Sequence, residues 1–179
     1  MKPREILTAF DRYLARRSLT LQAVVVGGTA LNLLGVVSRP TKDCDIIHPA
    51  LSPEIIAAAR QFASAERARG QALDDDWLNN GPSSLTQHLP SGWQERLQIV
   101  FTGAAVTLRC LGRRDLLCVK LWALCDRGID LSDCLALAPD AEELRTVLPW
   151  LETQDAHPDW PEHVRATLDD VAKRLGHAL

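Results

Sequence analysis

The chain has 179 residues, of which 46% are apolar and 24% are charged, and its formal net charge is −3 at pH 7. This length suffices for one domain with a substantial core. The slightly negative charge excludes a protein held on nucleic acid by bulk charge alone, although it leaves room for a local basic patch. No apolar run is long enough to span a bilayer and the first residues lack the apolar segment of a signal peptide, so we expect a soluble, cytoplasmic protein with no membrane partner.

The cysteines indicate a reducing compartment rather than a disulfide framework or a zinc site. Their number is odd, none forms a Cys-x-x-Cys pair, and most lie inside apolar runs. We therefore predict reduced core residues at Cys44, Cys110, Cys118, Cys125 and Cys134.

Helical and strand patterns alternate in the first half of the chain. Ile6, Phe10 and Leu14 recur at helical spacing, and the β-branched run that ends at Val26 is typical of a strand. Ser52, followed by proline and glutamate, is a helix-start signal. These patterns predict a helix over 3–17, a strand over 21–26, a short helix over 29–34, a strand over 43–47, a helix from Ser52 to Gly70 and an irregular polar segment over 74–87.

The second half begins with strands and ends with helices. Apolar runs over 97–101 and 106–111 flank Thr102-Gly103, a pattern that predicts a hairpin. From Asp115 onward the predicted elements are helices over 115–127, 130–138, 140–152 and 161–176. This order predicts an α+β fold with a small mixed sheet flanked by helices and a C-terminal helical bundle. We expect a core over residues 1–112 and a helical region over 113–179, packed together as a single compact unit.

Two aspartates carry the strongest chemical signal. Asp43 and Asp45 lie two residues apart in a predicted strand, so their side chains share one face while Cys44 and Ile46 point to the other. Like charges held side by side repel unless a cation neutralises them, and carboxylate oxygens suit hard cations. The pair therefore predicts a site for Mg²⁺ or Mn²⁺. The alternative is a solvated strand edge, which the apolar neighbours of the pair argue against.

A glycine pair precedes these acids at a predicted strand-to-helix junction. Gly27 and Gly28 let a phosphate approach the backbone closely, and a helix N-terminus presents N–H groups that lack intrahelical acceptors. The Thr29 hydroxyl adds a further donor. The spacing fits neither a P-loop nor a dinucleotide-binding fingerprint, and a tight turn is the alternative. With the acids downstream, the pair favours a nucleoside triphosphate as ligand.

The segment between the glycines and the acids holds two more polar candidates. Arg39 is suited to bidentate contact with phosphate oxygens or to offsetting the carboxylate charge, and a structural ion pair is an equally good interpretation. Thr41 is either part of the nucleotide site or an ordering hydroxyl in the loop.

The motif Gly27-Gly28-Thr29-Ala30, followed by Arg39-x-Thr41-x-Asp43-x-Asp45, resembles the signature of minimal nucleotidyltransferases of the DNA polymerase β superfamily. By pattern it is similar to the AbiEii-like members found in bacterial toxin–antitoxin and phage-defence systems. A second block, with Lys120, Arg127, Asp130 and Asp133, resembles the Lys…Arg…Asp…Asp segment of that family. The two blocks cover residues 25–48 and 112–138, less than half of the chain.

The second block implies a catalytic role for Lys120 and Asp130 and a nucleotide-binding role for Arg127. An ammonium in the apolar stretch around Lys120 must snorkel to water or meet an anion, such as a phosphate or a carboxylate. Asp130 is equally well explained as the N-cap of the next helix. For Asp133 the alternatives are a solvated helix face or an ion pair with Arg127.

The resemblance implies metal-dependent transfer of a nucleotidyl group from a nucleoside triphosphate to a hydroxyl, with Asp43 and Asp45 holding Mg²⁺. The acceptor it suggests is a tRNA or a partner protein, a cognate toxin or antitoxin. The superfamily usually has a third metal-binding carboxylate on a later strand, but the predicted strand over 97–101 has none. Either phosphate and water complete the site, or Asp130 substitutes, or the chain binds a nucleotide or partner without catalysis. A metal-dependent nuclease is a weaker alternative because it leaves the glycine pair unused.

Overall fold

A computed structural model describes residues 2–179 and confirms the α+β fold with its small mixed sheet and C-terminal helices. Five strands and seven α-helices occur in this range. In chain order they are α1 (Pro3–Ala15), β1 (Leu21–Val26), α2 (Gly27–Leu33), β2 (Cys44–His48), α3 (Pro53–Arg67), β3 (Leu78–Asn79), β4 (Gln98–Thr102), β5 (Val106–Cys110), α4 (Arg113–Arg127), α5 (Leu131–Leu137), α6 (Ala141–Glu152) and α7 (Trp160–Arg174). None of the helices within residues 2–179 has both the length and the apolar content that crossing a bilayer requires.

The sheet has the strand order β3-β2-β1-β5-β4. β1 lies at its centre, antiparallel to β2 and parallel to β5, and the predicted hairpin is the antiparallel pair β4–β5. The central position of β1 agrees with its sequence, since five of its six residues are buried. Its last residue, Val26, is paired with Asp45 of β2, and this register brings the end of β1 beside one of the two predicted metal ligands.

The described chain divides into two units. The first holds the residues up to Gln87 together with Leu97–Leu111, and therefore the whole sheet. The second holds His88–Arg96 and Gly112–Leu179. The short segment His88–Arg96 belongs to the helical unit because the Arg96 guanidinium forms a two-point ion pair with the fully buried Asp115 of α4, at 2.7 and 2.8 Å.

The core of the first unit lies between one face of the sheet and the helices α1 and α3. Phe10 of α1 and Phe62 of α3 pack against Trp77, with ring centroids 5.1 to 5.8 Å apart. Cys44 and Ile46 of β2 point into the same cluster and are fully buried. The predicted alternation of β2 is thereby confirmed on its apolar side.

The second unit is a set of helices arranged around α4. This helix packs against α5, α6 and α7, and its apolar residues face inward on most sides. α4 ends at Gly128 and α6 begins with a capping box between Asp140 and Glu143. All five cysteines of the chain are buried and free, as predicted.

The segment over 74–87, predicted as irregular, is more ordered than expected. It contains the two-residue strand β3, parallel to β2, and a 3₁₀-helix over Ser83–Gln87. Two residues are too few for a periodic signal, so the pairing of β3 follows from tertiary contacts: Trp77 is fully buried, and the Cys44 backbone N–H donates to the Trp77 carbonyl.

Asp11 of α1 ties this helix to the β4–β5 turn. Its carboxylate accepts hydrogen bonds from the backbone N–H groups of Ala104, Ala105 and Val106, at 3.1, 2.8 and 2.8 Å. Burial of the carboxylate raises its pKa, but these three bonds outweigh burial, and the pKa of Asp11 is lowered from 3.8. Gly103 is required here because a Cβ at that position would overlap the Asp11 carboxylate.

We expect Asp11→Asn to lower the free energy of unfolding by about 2 kcal/mol at pH 7, because a charged acceptor of backbone N–H groups is lost. Since the folded-state pKa is lowered, this contribution is present above the unfolded-state pKa near 3.8 and is lost as pH falls through the folded-state pKa. Denaturant unfolding of both proteins between pH 3 and pH 8 measures the difference. Asp169→Asn, at an exposed position of α7, is the control; an equal loss there, or a difference that persists at low pH, contradicts this role of Asp11.

Candidate functional site

The junction between β1 and α2 forms the centre of the candidate site. α2 begins at Gly27, directly after Val26, and Gly27 adopts a left-handed backbone with φ of 67°. A Cβ added to Gly27 would lie 3.1 Å from Oδ2 of Asp45. Only glycine meets both conditions without strain. The sequence prediction that α2 starts at Thr29 was therefore two residues late.

Asp45 occupies the middle of β2 and is half-buried, whereas its neighbours Cys44 and Ile46 are fully buried. Its Oδ1 accepts a hydrogen bond of 3.1 Å from the side-chain amide of Asn79 in β3, the residue with which it is paired across the strands. Burial of the Cys44 thiol, together with the adjacent charges of Asp45 and Asp43, raises the pKa of that thiol. Cys44 therefore stays protonated and is neither a nucleophile nor a metal ligand.

Asp43 lies immediately before β2, two residues from Asp45, and its side chain is half-buried. Its backbone carbonyl accepts hydrogen bonds from the hydroxyls of Thr29, at 2.6 Å, and Thr41, at 3.3 Å. Alternation along the chain places Asp43 and Asp45 on the side opposite the buried Cys44. The backbone that carries the first acid is thus fastened to the first turn of α2.

The Thr29 hydroxyl was predicted to donate to a phosphate, but in the structure it has another partner. The residue is 1% exposed, and its single hydroxyl proton is used in the short bond to the Asp43 carbonyl. It therefore cannot also donate to a phosphate in this arrangement. Thr29 positions Asp43, and the backbone N–H groups at the start of α2 are the remaining donors of this turn.

Gly28, Thr41 and Arg39 surround the same junction. A Cβ on Gly28 would lie 2.8 Å from Cγ2 of Thr41, so the second glycine is also required by close packing. Thr41 is buried, and its hydroxyl lies 3.1 Å from that of Thr29. Arg39 is exposed, and its backbone carbonyl accepts a hydrogen bond of 3.2 Å from the amide of Asn32 in α2.

The acid pair fits a hard divalent cation in its donor chemistry. Asp43 and Asp45 both carry carboxylate oxygens, and Gly27 lacks the Cβ that would crowd Oδ2 of Asp45. Within residues 2–179, no group of three or more His, Cys, Asp or Glu side chains is placed to hold a metal ion. A cation at this pair therefore needs oxygens from phosphate or water to complete its shell.

The second predicted block forms a buried charge cluster in the helical unit. Lys120 of α4 is 6% exposed, and its ammonium donates to Oδ2 of Asp130 at 3.0 Å and to Oδ2 of Asp133 at 2.8 Å. The ammonium has thus met carboxylates, and the alternative of snorkelling to water is wrong. Asp133 is 1% exposed, so both alternatives for it, a solvated face and a pair with Arg127, are wrong as well.

Asp130 stands at the N-cap position of α5, but its side chain makes no capping hydrogen bond. Its carboxylate is directed to Lys120 instead, and its backbone is left-handed, with φ of 70°. A non-glycine residue in this conformation carries strain that the surrounding contacts must offset. Arg127, at the end of α4, is exposed and lies 3.6 Å from the Asp126 carboxylate. The catalytic and nucleotide-binding roles of Lys120, Asp130 and Arg127 stay predictions.

One of the comparisons with known proteins identifies a family. Residues 5–148 match a family described as "Nucleotidyltransferase of unknown function (DUF6036)". The chain belongs to this family. The match includes the glycine pair, both aspartates and the Lys120 cluster, so the nucleotidyltransferase resemblance is confirmed at the level of DUF6036. No curated protein and no solved structure matches the chain significantly.

Asn79 is a residue of the candidate site that the sequence analysis missed. It donates to Asp45, and its own Oδ1 accepts from the backbone N–H of Gly81 at 2.7 Å. Asn80 donates to the Ile46 carbonyl at 2.9 Å and so fastens the next residue of the loop to β2. The run Asn-Asn-Gly-Pro was correctly interpreted as a loop signal, but only its proximity to the acids reveals what the amides contact.

We expect Gly27→Ala to weaken metal binding more than its backbone strain explains. In Gly27→Ala the alanine must adopt a left-handed backbone and its Cβ displaces Oδ2 of Asp45. In Gly35→Ala the backbone is also left-handed, with φ of 76°, but no atom lies within 4 Å of the added Cβ, so only backbone strain is expected. Both variants should lose about 1–2 kcal/mol of stability. Thermal unfolding with and without millimolar MgCl₂ should show stabilisation of the wild type and of Gly35→Ala only. Equal stabilisation of Gly27→Ala contradicts this assignment.

We expect Lys120→Met to destabilise the protein by about 3–5 kcal/mol, because it leaves the buried Asp133 carboxylate without its cation. The control is Lys173→Met, which removes an exposed lysine of α7 and should change stability by less than about 0.5 kcal/mol. Denaturant unfolding of the two variants measures the difference. Similar stability of both would show that the cluster around Lys120 does not hold the helical unit together.

Proposed function

We propose that the protein transfers a nucleotidyl group from a nucleoside triphosphate to a hydroxyl, in a reaction that depends on Mg²⁺ or Mn²⁺ held by Asp43 and Asp45. The observation that carries this proposal is the close approach of Gly27 to Asp45, in a chain of the DUF6036 family. An acid pair beside side-chain-free backbone suits a ligand that brings both phosphate oxygens and a divalent cation.

The residues of the first unit would share the work as follows. Asn79 fixes the orientation of the Asp45 carboxylate, and Thr29 holds the backbone of Asp43. Gly27 and Gly28 leave room for the phosphates next to the backbone N–H groups of α2. A bound Mg²⁺ ion supplies neutralisation of the phosphate charge that grows in the transition state.

In the proposed reaction the acceptor oxygen bonds to the α-phosphorus and the bond from that phosphorus to the bridging oxygen breaks. Pyrophosphate leaves with the electron pair, and the hydroxyl proton passes to solvent. The protein contributes alignment and electrostatic stabilisation rather than a covalent intermediate. Within the first unit, Arg39 would neutralise phosphate charge.

For the acceptor we propose a tRNA end, with a side chain of a partner protein as the second choice. This choice, the cytoplasmic location and a role in a toxin–antitoxin pair of the AbiEii-like type are supported by the resemblance of the two sequence blocks. A nucleoside triphosphate is the donor in every version.

A second candidate is a nucleotidyltransferase fold that binds a nucleotide or a partner without transfer. It is favoured by the lack of a third metal-ligating side chain beside the acid pair among residues 2–179. The two candidates differ in whether label moves from the triphosphate to an acceptor.

We expect label transfer when the protein is incubated with MgCl₂, each labelled nucleoside triphosphate in turn, and total tRNA or cell lysate. Asp43→Asn and Asp45→Asn should each lower the rate at least about a hundredfold, because the charges that hold the cation are removed. Asp76→Asn, at an exposed position in the same unit, is the matched control and should retain full activity.

Other outcomes of this assay separate the candidates. Binding of the triphosphate without transfer in the wild type supports the non-catalytic protein. Shortening of RNA without added triphosphate supports a metal-dependent nuclease. Transfer that survives in Asp43→Asn contradicts the proposed site.

A further inference from the structure

A groove between α1 and α3 is lined by four arginines and is not used by the proposed catalytic site. The cavity has a volume of about 480 Å³ and lies within the first unit. We call it the arginine groove and define it by Arg12, Arg16, Arg17, Arg69, Tyr13 and Glu66. All four arginines are exposed.

The groove is strongly positive, although the whole chain has a net charge of −3. Four guanidinium groups face a single carboxylate, that of Glu66, which pairs with Arg69 at 2.6 Å. The C-terminal ends of α1 and α3 add a partial charge of about −0.5 each. After one carboxylate and the two helix C-termini are counted, about two of the four positive charges have no negative counterpart in the groove.

Arg12 and Arg16 supply most of this excess. They are four residues apart at the end of α1, where like charges repel and lower helix stability. Neither guanidinium forms an ion pair with a carboxylate of the described chain, residues 2–179. The charge of Arg12 helps to lower the pKa of the neighbouring Asp11, but both guanidinium groups are exposed and can also contact an external anion.

The contact between Arg17 and Tyr13 favours RNA over other anionic ligands. The Arg17 guanidinium carbon lies 3.6 Å from the centroid of the Tyr13 ring, and the ring itself is buried beneath it. This contact holds the guanidinium over the ring, and Arg17 stays exposed to solvent. Unstacked RNA bases stack on guanidinium planes, whereas acidic peptides and lipid headgroups gain nothing from them.

We propose that the arginine groove binds an RNA strand, with Arg12 and Arg16 on backbone phosphates and one base stacked on Arg17. A volume of about 480 Å³ accommodates one or two nucleotides. That this RNA is the acceptor of the transferred nucleotide rests on the proposed function, whereas binding itself does not.

The position of the groove gives an approximate length for such an acceptor when its bases are stacked. Arg17 is four residues before the start of β1, and Gly27 follows its end. The six residues of β1 span about 20 Å. At about 3.4 Å per stacked nucleotide, some six nucleotides are needed to reach from one end of the strand to the other.

Binding is tested by fluorescence anisotropy with a labelled single-stranded RNA of twelve nucleotides, without nucleoside triphosphate and in the Asp43→Asn background. Arg12→Gln/Arg16→Gln should weaken binding at least about tenfold and reduce the slope of log K against log salt by about 1.4, the value for two phosphate contacts. Arg60→Gln/Lys173→Gln removes two exposed cations elsewhere and should bind as the parent does.

Arg17→Lys keeps the charge but loses the plane, so it should weaken binding about five- to tenfold and leave the salt slope unchanged. The proposal is overturned if the parent does not bind RNA at low salt, if both double variants lose affinity equally, or if anionic vesicles of phosphatidylserine bind and RNA does not. RNA binding that responds as expected, with no label transfer in the wild-type assay, supports the groove and contradicts only the proposed activity.

Discussion

The left-handed turn at Gly27 is the constraint on which the candidate site depends. β1 is buried at the centre of the sheet, so its direction cannot change, and its last residue is paired with Asp45. A chain that continues from there must either leave the sheet through a loop or turn at once. Gly27 turns at once, with φ of 67°, because it has no Cβ to strike the Asp45 carboxylate. The carboxylate and the first N–H groups of α2 become neighbours for this reason alone.

Neutral groups fix the positions of both acids around this turn. The Thr29 hydroxyl holds the Asp43 carbonyl, and the Asn79 amide holds one oxygen of Asp45. Hydroxyls and amides carry no net charge, so these two contacts orient the acids without removing their negative charge. The Lys120 cluster in the other unit differs, since there a buried ammonium pairs with two carboxylates. Removing the cation from such a buried cluster leaves an uncompensated charge, so its contribution is to stability.

The sequence predicted the features that depend on neighbouring residues and missed those that depend on contacts between distant residues. The cap at Ser52, the hairpin strands and the alternation around Cys44 were all found, because each is encoded within a few neighbouring residues. The contact of Asn79 with Asp45 joins residues 34 apart, and the strand that carries it is too short to have a period. For Lys120 the sequence left open whether the ammonium reaches water or an anion, and it did not select Asp130 and Asp133, which had good local alternatives.

The amino-acid composition gave the net charge but not its distribution, and the structure separates opposite charges within the first unit. The acid pair lies beside the last residue of β1, and three of the four groove arginines come shortly before its first residue. If the four guanidinium groups of the arginine groove lay beside Asp43, they would form ion pairs with the carboxylates. They would then compete with a cation for the same oxygens. In the structure the six residues of β1 lie between the two sets of charges. If the proposed cation and polyanion both bind, this separation lets each set contribute to its own ligand, and the opposite charges largely cancel in the net charge of the chain.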